Sequence, residues 1–277
     1  MSAIRPRKGL GQNFLIDRSV RDDIVAGAAI SPSDIVIEIG PGKGTLTFSL
    51  AERALFVLAV EIDRRFCDYL RERLGDVGNV EVRNADFLRM NLREEISELR
   101  ERFPRARAVR IVSNIPFYIT TPIVTKIIEN GSLIDSCTVT VQKEVAERFT
   151  ADPGSKRYGA ITLFLNYYAR LRLLFPIPRE AFRPKPDVDG AVISIVPRVK
   201  PAVEVRDERL FFRVIRAAFG QRRKMVKNSL RSLGLSEGAV ESALHQSGLC
   251  PGLRPERLSI EDFARLSDAL SAASEER

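Results

Sequence analysis

The sequence has no tryptophan, a single histidine and only three cysteines among its 277 residues. Cys67, Cys137 and Cys250 stand far apart, without the short paired spacing that zinc sites use, and His245 falls in a polar C-terminal helix. No metal and no histidine acid/base chemistry is therefore expected. Each cysteine reads as a small core filler and His245 as a surface residue. No apolar stretch approaches membrane-spanning length, and Met1 to Lys8 lacks the apolar core of a signal peptide, so a cytoplasmic protein without a membrane partner is expected. Internal repeats are missing too, and the one biased tract is the Ala/Ser/Glu-rich tail after Asp268.

With 44% hydrophobic residues the chain can bury a full core in one large domain and a smaller one. Strands and helices alternate to about Thr150, beginning with a helix over residues 17–28 capped by Asp17, which predicts an α/β fold: a parallel sheet covered by helices on both faces. Leu171 to Ile177 and Val188 to Val196 read as further sheet segments. Beyond Lys200 the pattern is purely helical, with Gly234, Gly248 and Gly252 as stops. The expected division is 1–200 for a large α/β domain and 201–277 for a small all-helical domain.

The formal charge of +8 is concentrated in one place. Between Arg198 and Arg231 stand eleven Lys or Arg against three Asp or Glu, which equals the entire surplus. Arg213, Arg216, Arg222, Arg223, Lys224 and Lys227 fall opposite the apolar positions Phe211, Ile215, Ala218, Met225 and Leu230, so a basic stripe is expected. Such a stripe is commonly a solvated face. Its clustering of one sign with few compensating acids favours contact with nucleic-acid phosphates, with Arg216, Arg222, Arg223, Lys224 and Lys227 as the candidates.

In the first half, the buried-strand pattern Asp34 to Ile39 runs into Gly40-Pro41-Gly42-Lys43-Gly44 and then a helix. Glycines 40, 42 and 44 allow close main-chain approach to a ligand, and the helix start offers unpaired amides. The next strand ends in Glu61, followed by Ile62; its carboxylate can take both hydroxyls of a ribose. A third is followed by Asp86 and Phe87, an acceptor for an adenine amine and a cover for its ring. Acidic groups at successive strand ends favour a nucleoside over a bare pyrophosphate. The glycine turn alone also suits a dinucleotide-binding oxidoreductase.

After Val109 to Val112 comes Asn114-Ile115-Pro116-Phe117. An exocyclic base amine is a poor nucleophile because its lone pair is delocalised into the ring. The Asn114 carbonyl and a nearby main-chain carbonyl, exposed where Pro116 bends the chain, can accept its two hydrogens and favour a tetrahedral nitrogen. Phe117 can stack on the base and face the developing positive charge. By itself, Asn-X-Pro is equally a plain turn. Phe182, in Phe182-Arg183-Pro184-Lys185-Pro186, fits either an extended loop facing the cleft or a core position.

These segments, in this order and with Gly11 to Leu15, Val60 to Asp63, Val141 to Ala146, Pro153 to Lys156 and Phe219 to Lys224, resemble the KsgA type of small-subunit ribosomal RNA adenine dimethyltransferases over nearly the whole length. The resemblance implies a Rossmann-like class I fold, S-adenosylmethionine as cofactor, small-subunit ribosomal RNA as partner and a monomer. It places Gln12, Asn13 and Leu15 in the cofactor pocket and Gly40 at the methionine moiety. Glu61 goes to the ribose, Asp86 to the adenine, Asn114 between cofactor and substrate, and Phe117 and Phe182 on either side of the target base. One departure is Tyr118, where the family usually has a small polar residue. The implied reaction is N6,N6-dimethylation of adjacent adenosines near the 3′ end of small-subunit RNA. The alternatives are a ribosome-assembly factor that acts by docking on RNA, and a large-subunit RNA adenine methyltransferase of the kind that confers antibiotic resistance.

Overall fold

The computed structural model describes residues 12–75, 77–221 and 224–275. A short strand β1 (Phe14–Leu15) leads into helix α1 (Arg18–Gly27), which starts where expected because the Asp17 carboxylate accepts from the main-chain N–H groups of Ser19 and Val20. Then follow β2 (Asp34–Ile39), α2 (Thr47–Ala51), β3 (Phe56–Glu61), α3 (Arg64–Leu74), β4 (Val80–Asn84), α4 (Leu92–Arg102), β5 (Ala108–Asn114), α5 (Thr120–Glu129), β6 (Ser136–Gln142) and α6 (Lys143–Phe149). After α7 (Ala160–Tyr168) the chain adds β7 (Ala169–Ile177), β8 (Phe182–Arg183) and β9 (Gly190–Pro197).

Seven strands form one mixed sheet in the order β4-β3-β2-β5-β6-β9-β7, with helices on both sides. Every residue of β2 and β3 is buried, the signature of central parallel strands covered on both faces, and it explains their unbroken apolar runs. From β2 the chain moves outward through β3 and β4, then returns to place β5 on the other flank of β2, pairing Glu38 with Val112. That reversal creates a crevice at the carboxyl ends of β2 and β5, where open α/β sheets bind ligands. The Arg110 guanidinium, 2.6 Å from the buried Asp34 carboxylate, and the Ser113 hydroxyl, which donates to the Ile39 carbonyl, pin these two strands at both ends.

The chain divides into two compact units, one of 1–146 with 170–198 and a second of 147–169 with 199–277. One division thus lies beside the boundary expected at residue 200, and the difference is that 147–169 groups with the second unit. The second unit contains α8 (Glu208–Gly220), α9 (Val226–Ser229), α10 (Glu237–Gln246) and α11 (Ile260–Glu275), but also α7. Leu163 and Tyr167 of α7 are buried in the same core as Phe211, Val214 and Phe263. That burial outweighs sequence order. Of the residues expected to face inward here, Phe211, Ile215, Ala218 and Leu230 do, whereas Met225 is 49% exposed. Cys67 and Cys137 are core residues, and burial pushes the Cys137 thiol up; Cys250, expected inside, is exposed. His245 lies at the surface.

Candidate active site

The carboxyl ends of β2, β3, β4 and β5 open onto a cleft of about 1030 Å³, its mouth included. Gln12, Asn13, Phe14 and Leu15 close one side of it, held there by antiparallel pairing of Leu15 with Phe182 and by the Thr45 hydroxyl, which donates to the Leu15 carbonyl at 3.1 Å. Three carboxylates line the cleft, Glu38, Glu61 and Asp86, and among the described residues that line it there is no Lys or Arg. A phosphate ligand would meet three carboxylates there, whereas a cationic one is better matched electrostatically.

The glycine turn does not act as an anion cradle. Gly40, Gly42 and Gly44 all have positive φ (65°, 56° and 82°), which an L side chain rarely adopts. Their N–H groups are spent internally, on the Val60 carbonyl, the Glu61 Oε2 and the Pro41 carbonyl respectively. Gly44 is absent from the cleft lining altogether: a Cβ there would lie 2.7 Å from Leu70 and 3.0 Å from Phe48, so its role is packing, a correction to its expected place among the ligand contacts. Gly40 and Gly42 do line the cleft.

Glu61 is only 5% exposed, and its two oxygens accept from main-chain donors, Oε2 from Gly42 N–H at 3.0 Å and Oε1 from Asp63 N–H at 2.9 Å. Burial raises its pKa, and these two donors work against that rise. Two residues beyond β4, Asp86 caps the single turn Phe87–Arg89 by accepting from Leu88 N–H at 2.9 Å. Phe87, buried, and Ile62, 54% exposed, both line the cleft.

Sequence reasoning missed Glu38. It lies fully buried in the inner wall, its Oε2 without a well-formed hydrogen bond, and the nearby Thr47 hydroxyl partly offsets the effect of that burial on its carboxyl. Burial first, and the neighbouring Glu61 charge in addition, push its pKa up to about 8. The one signal available was a carboxylate within an otherwise aliphatic strand.

At the end of β5, Asn114 Nδ2 donates to the Asn13 carbonyl at 3.0 Å, which fixes the amide so that Oδ1 remains as an acceptor. The Pro116 carbonyl accepts from Ile119 N–H at 3.1 Å, closing a tight turn over Phe117–Ile119. Ile115 itself is buried, while Phe117 and Tyr118 face the cleft, with Tyr118 58% exposed. Phe182 departs from expectation. It is 1% exposed and meets Phe117 edge-on, with centroids 6.1 Å apart and planes at 73°, leaving no parallel slot for a base between the two rings. Its pairing in β8 against β1 turns it into the core with Ala181 and Val192.

In the second unit, Arg216 and Lys224 are exposed as expected, and Arg222 and Arg223 lie outside the described residues. Lys227 differs from the little-compensated stripe foreseen. It pairs with Glu241 and, at 2.9 Å, with Glu237, which also holds Arg231 at 2.9 Å. The acids come from α10, beyond the window over which charge was counted. Among the described residues there is no cluster of His, Cys, Asp or Glu fit to hold a metal, and no helix long and apolar enough to cross a membrane.

Residues 3–272 match the family model for ribosomal RNA adenine dimethylase. A ribosomal RNA small subunit methyltransferase A from Bacillus cereus (strain AH187) is 44% identical over 268 residues, covering 95% of this chain and 91% of that protein. One of the same description from Clostridium botulinum (strain Okra / Type B1) is 41% identical over 263 residues, covering 95% and 93%. Among solved structures, the 23S rRNA methyltransferase ErmE superposes with a TM-score of 0.73 at 30% identity, covering 94% of this chain and 100% of that one. A dimethyladenosine transferase from Plasmodium falciparum gives 0.74 at 23% identity, covering 91% and 95%, a likeness of fold. With an acidic cleft at the sheet's switch point and matches that run from end to end, the chain belongs to the ribosomal RNA adenine dimethylase family.

Proposed function

We propose that the protein transfers methyl groups from S-adenosylmethionine to the N6 amines of adenosines in small-subunit ribosomal RNA, dimethylating each. The observation that carries this reading is the cleft wall itself: Glu38, Glu61 and Asp86 with no Lys or Arg in the described lining, Asp86 being paired with Arg89 at 3.5 Å outside it, beside Asn114 with its amide oxygen left as an acceptor. S-adenosylmethionine fits such a wall, being positive at both its sulfonium and its ammonium, and the buried Oε2 of Glu38, without a well-formed hydrogen bond, marks the end where positive charge is missing. The names of the two relatives at 41% and 44% identity favour the small subunit over the large.

In this reading Glu61 takes the ribose hydroxyls on lone pairs left beside Gly42 and Asp63, Asp86 accepts from the adenine amine, and Ile62 and Phe87 cover the two ring faces. Gln12, Asn13, Leu15 and Gly40 hold the methionine end. When bound, the cofactor supplies an electrophilic methyl group. The chain's own task is to prepare the acceptor. Asn114 Oδ1 and a nearby main-chain carbonyl at Ile115 draw the two amine hydrogens and turn the lone pair out of conjugation, while that of Pro116 is used within its turn. Phe117 offers one aromatic face to the base and Tyr118 an exposed ring at the mouth. Positioning supplies most of the acceleration, and the surplus proton leaves to water. A base paired or stacked in RNA is shielded, so the target adenosine is turned out of its stack. The second unit, with exposed Arg216 and Lys224, serves RNA phosphates.

Calorimetry with S-adenosylmethionine and with NAD tests the cofactor assignment. Binding of the first and none of the second is expected; the converse would overturn it. The titration should also release protons. Below pH 8 Glu38 is mostly protonated in the free protein, and a cationic ligand favours its ionised form, so affinity rises between pH 5 and 7 by up to about tenfold per unit. Because its folded pKa is raised, Glu38 contributes to stability fully below the ordinary value of 4.5 and loses that contribution as pH rises through about 8. Glu38→Gln should abolish proton release, and equal release from wild type and variant would contradict the assignment.

A further inference from the structure

Lys126 sits two turns into α5, the helix that begins directly after the Asn114–Phe117 segment, where a lysine reads as an ordinary solvated residue. The structure puts it elsewhere. Its ammonium donates to the Leu88 carbonyl at 2.8 Å and also to that of Met90, and stands 5.6 Å from the centroid of the Phe87 ring. These carbonyls close the carboxyl end of the turn Phe87–Arg89, where a helical turn has unsatisfied acceptors and partial negative charge. Asp86 caps the other end of that turn through Leu88 N–H, so the turn carrying both adenine-facing residues is fastened at both ends.

One turn earlier on the same face of α5, Ile123 is buried and lines the cleft. Burial lowers the Lys126 pKa, and the charges of Asp86 and Glu129 oppose that shift. An ammonium fastened to two main-chain carbonyls makes charge-assisted bonds that a neutral side chain of the same length cannot replace.

We propose that Lys126 is a positioning residue for adenine recognition: it sets where the Asp86 carboxylate stands relative to the segment that holds the acceptor amine. The cofactor's purine pocket and the acceptor loop thereby share one rigid strut. This inference rests on the cofactor assignment above. Removing the ammonium frees the turn, so the Asp86 carboxylate loses its fixed place while the ribose and methionine contacts stay.

The test compares Lys126→Met, Lys126→Arg and wild type, titrated calorimetrically with S-adenosylhomocysteine and with S-inosylhomocysteine, in which the 6-amine is replaced by a carbonyl. Wild type is expected to prefer the adenine compound. K126M should weaken adenine binding about tenfold and leave inosine binding within about twofold, collapsing the preference, while K126R, able to reach both carbonyls, restores most of it. A purely structural lysine would weaken both ligands alike and leave their ratio unchanged, which would overturn the proposal, as would identical binding by K126M and wild type. If K126M fails to fold, Lys126→Gln carries the same comparison. Wild type that binds neither compound would instead refute the cofactor assignment.

Discussion

Replacing Asn114 with alanine should lower methyl transfer by about 10³-fold while weakening S-adenosylhomocysteine binding less than about tenfold. The amide is held by the Asn13 carbonyl at 3.0 Å, so its oxygen is presented in a fixed direction without cost at the moment of reaction. Alanine removes that acceptor and leaves the amine conjugated with its ring. Asn114→Asp separates the two halves of the side chain's role: it keeps an oxygen for the substrate but cannot donate to the Asn13 carbonyl, and should lie between wild type and alanine. Single-turnover transfer at saturating cofactor measures the step. Turnover within tenfold of wild type in the alanine variant would remove Asn114 from the chemistry.

Glu61→Gln should cost about 100-fold in cofactor affinity, a larger loss than the near-isosteric change would imply on an open surface. Both oxygens of Glu61 already accept from buried main-chain N–H groups, those of Gly42 and Asp63. A glutamine can satisfy one of them and must turn its NH₂ toward the other, donor against donor. The variant therefore disturbs the glycine turn as well as the ribose site. Equilibrium binding of S-adenosylhomocysteine with urea unfolding alongside measures both effects; unchanged affinity would show that the ribose is held elsewhere.

Much of this site was legible in the sequence because its elements are local. Aliphatic runs of strand length ending in Glu61 and Asn114 declare both the strand and the residue at its end, Asp86 follows two residues after β4, and all three line one cleft at the carboxyl ends of the strands. What was not legible depends on long-range packing. Phe182 is drawn inward by pairing with Leu15 across most of the first unit's length, a partnership no local pattern reveals. Gly44 looks like Gly40 and Gly42 in sequence, and only the approach of Leu70 and Phe48 shows that its missing side chain serves packing. The carboxylates that neutralise Lys227 belong to a later helix, so a running charge count could not include them. Helix α7 joins the helical unit through the burial of Leu163 and Tyr167, although it precedes two strands of the main sheet.

The most direct measurement is transfer of a labelled methyl group from S-adenosylmethionine onto unmethylated small ribosomal subunits, with the labelled base mapped by mass spectrometry. We expect label on the N6 of adenosine, progressing to the dimethyl form, and none with the Asn114→Ala protein. Label on another base, or on no RNA despite bound cofactor, would contradict the role assigned to this cleft.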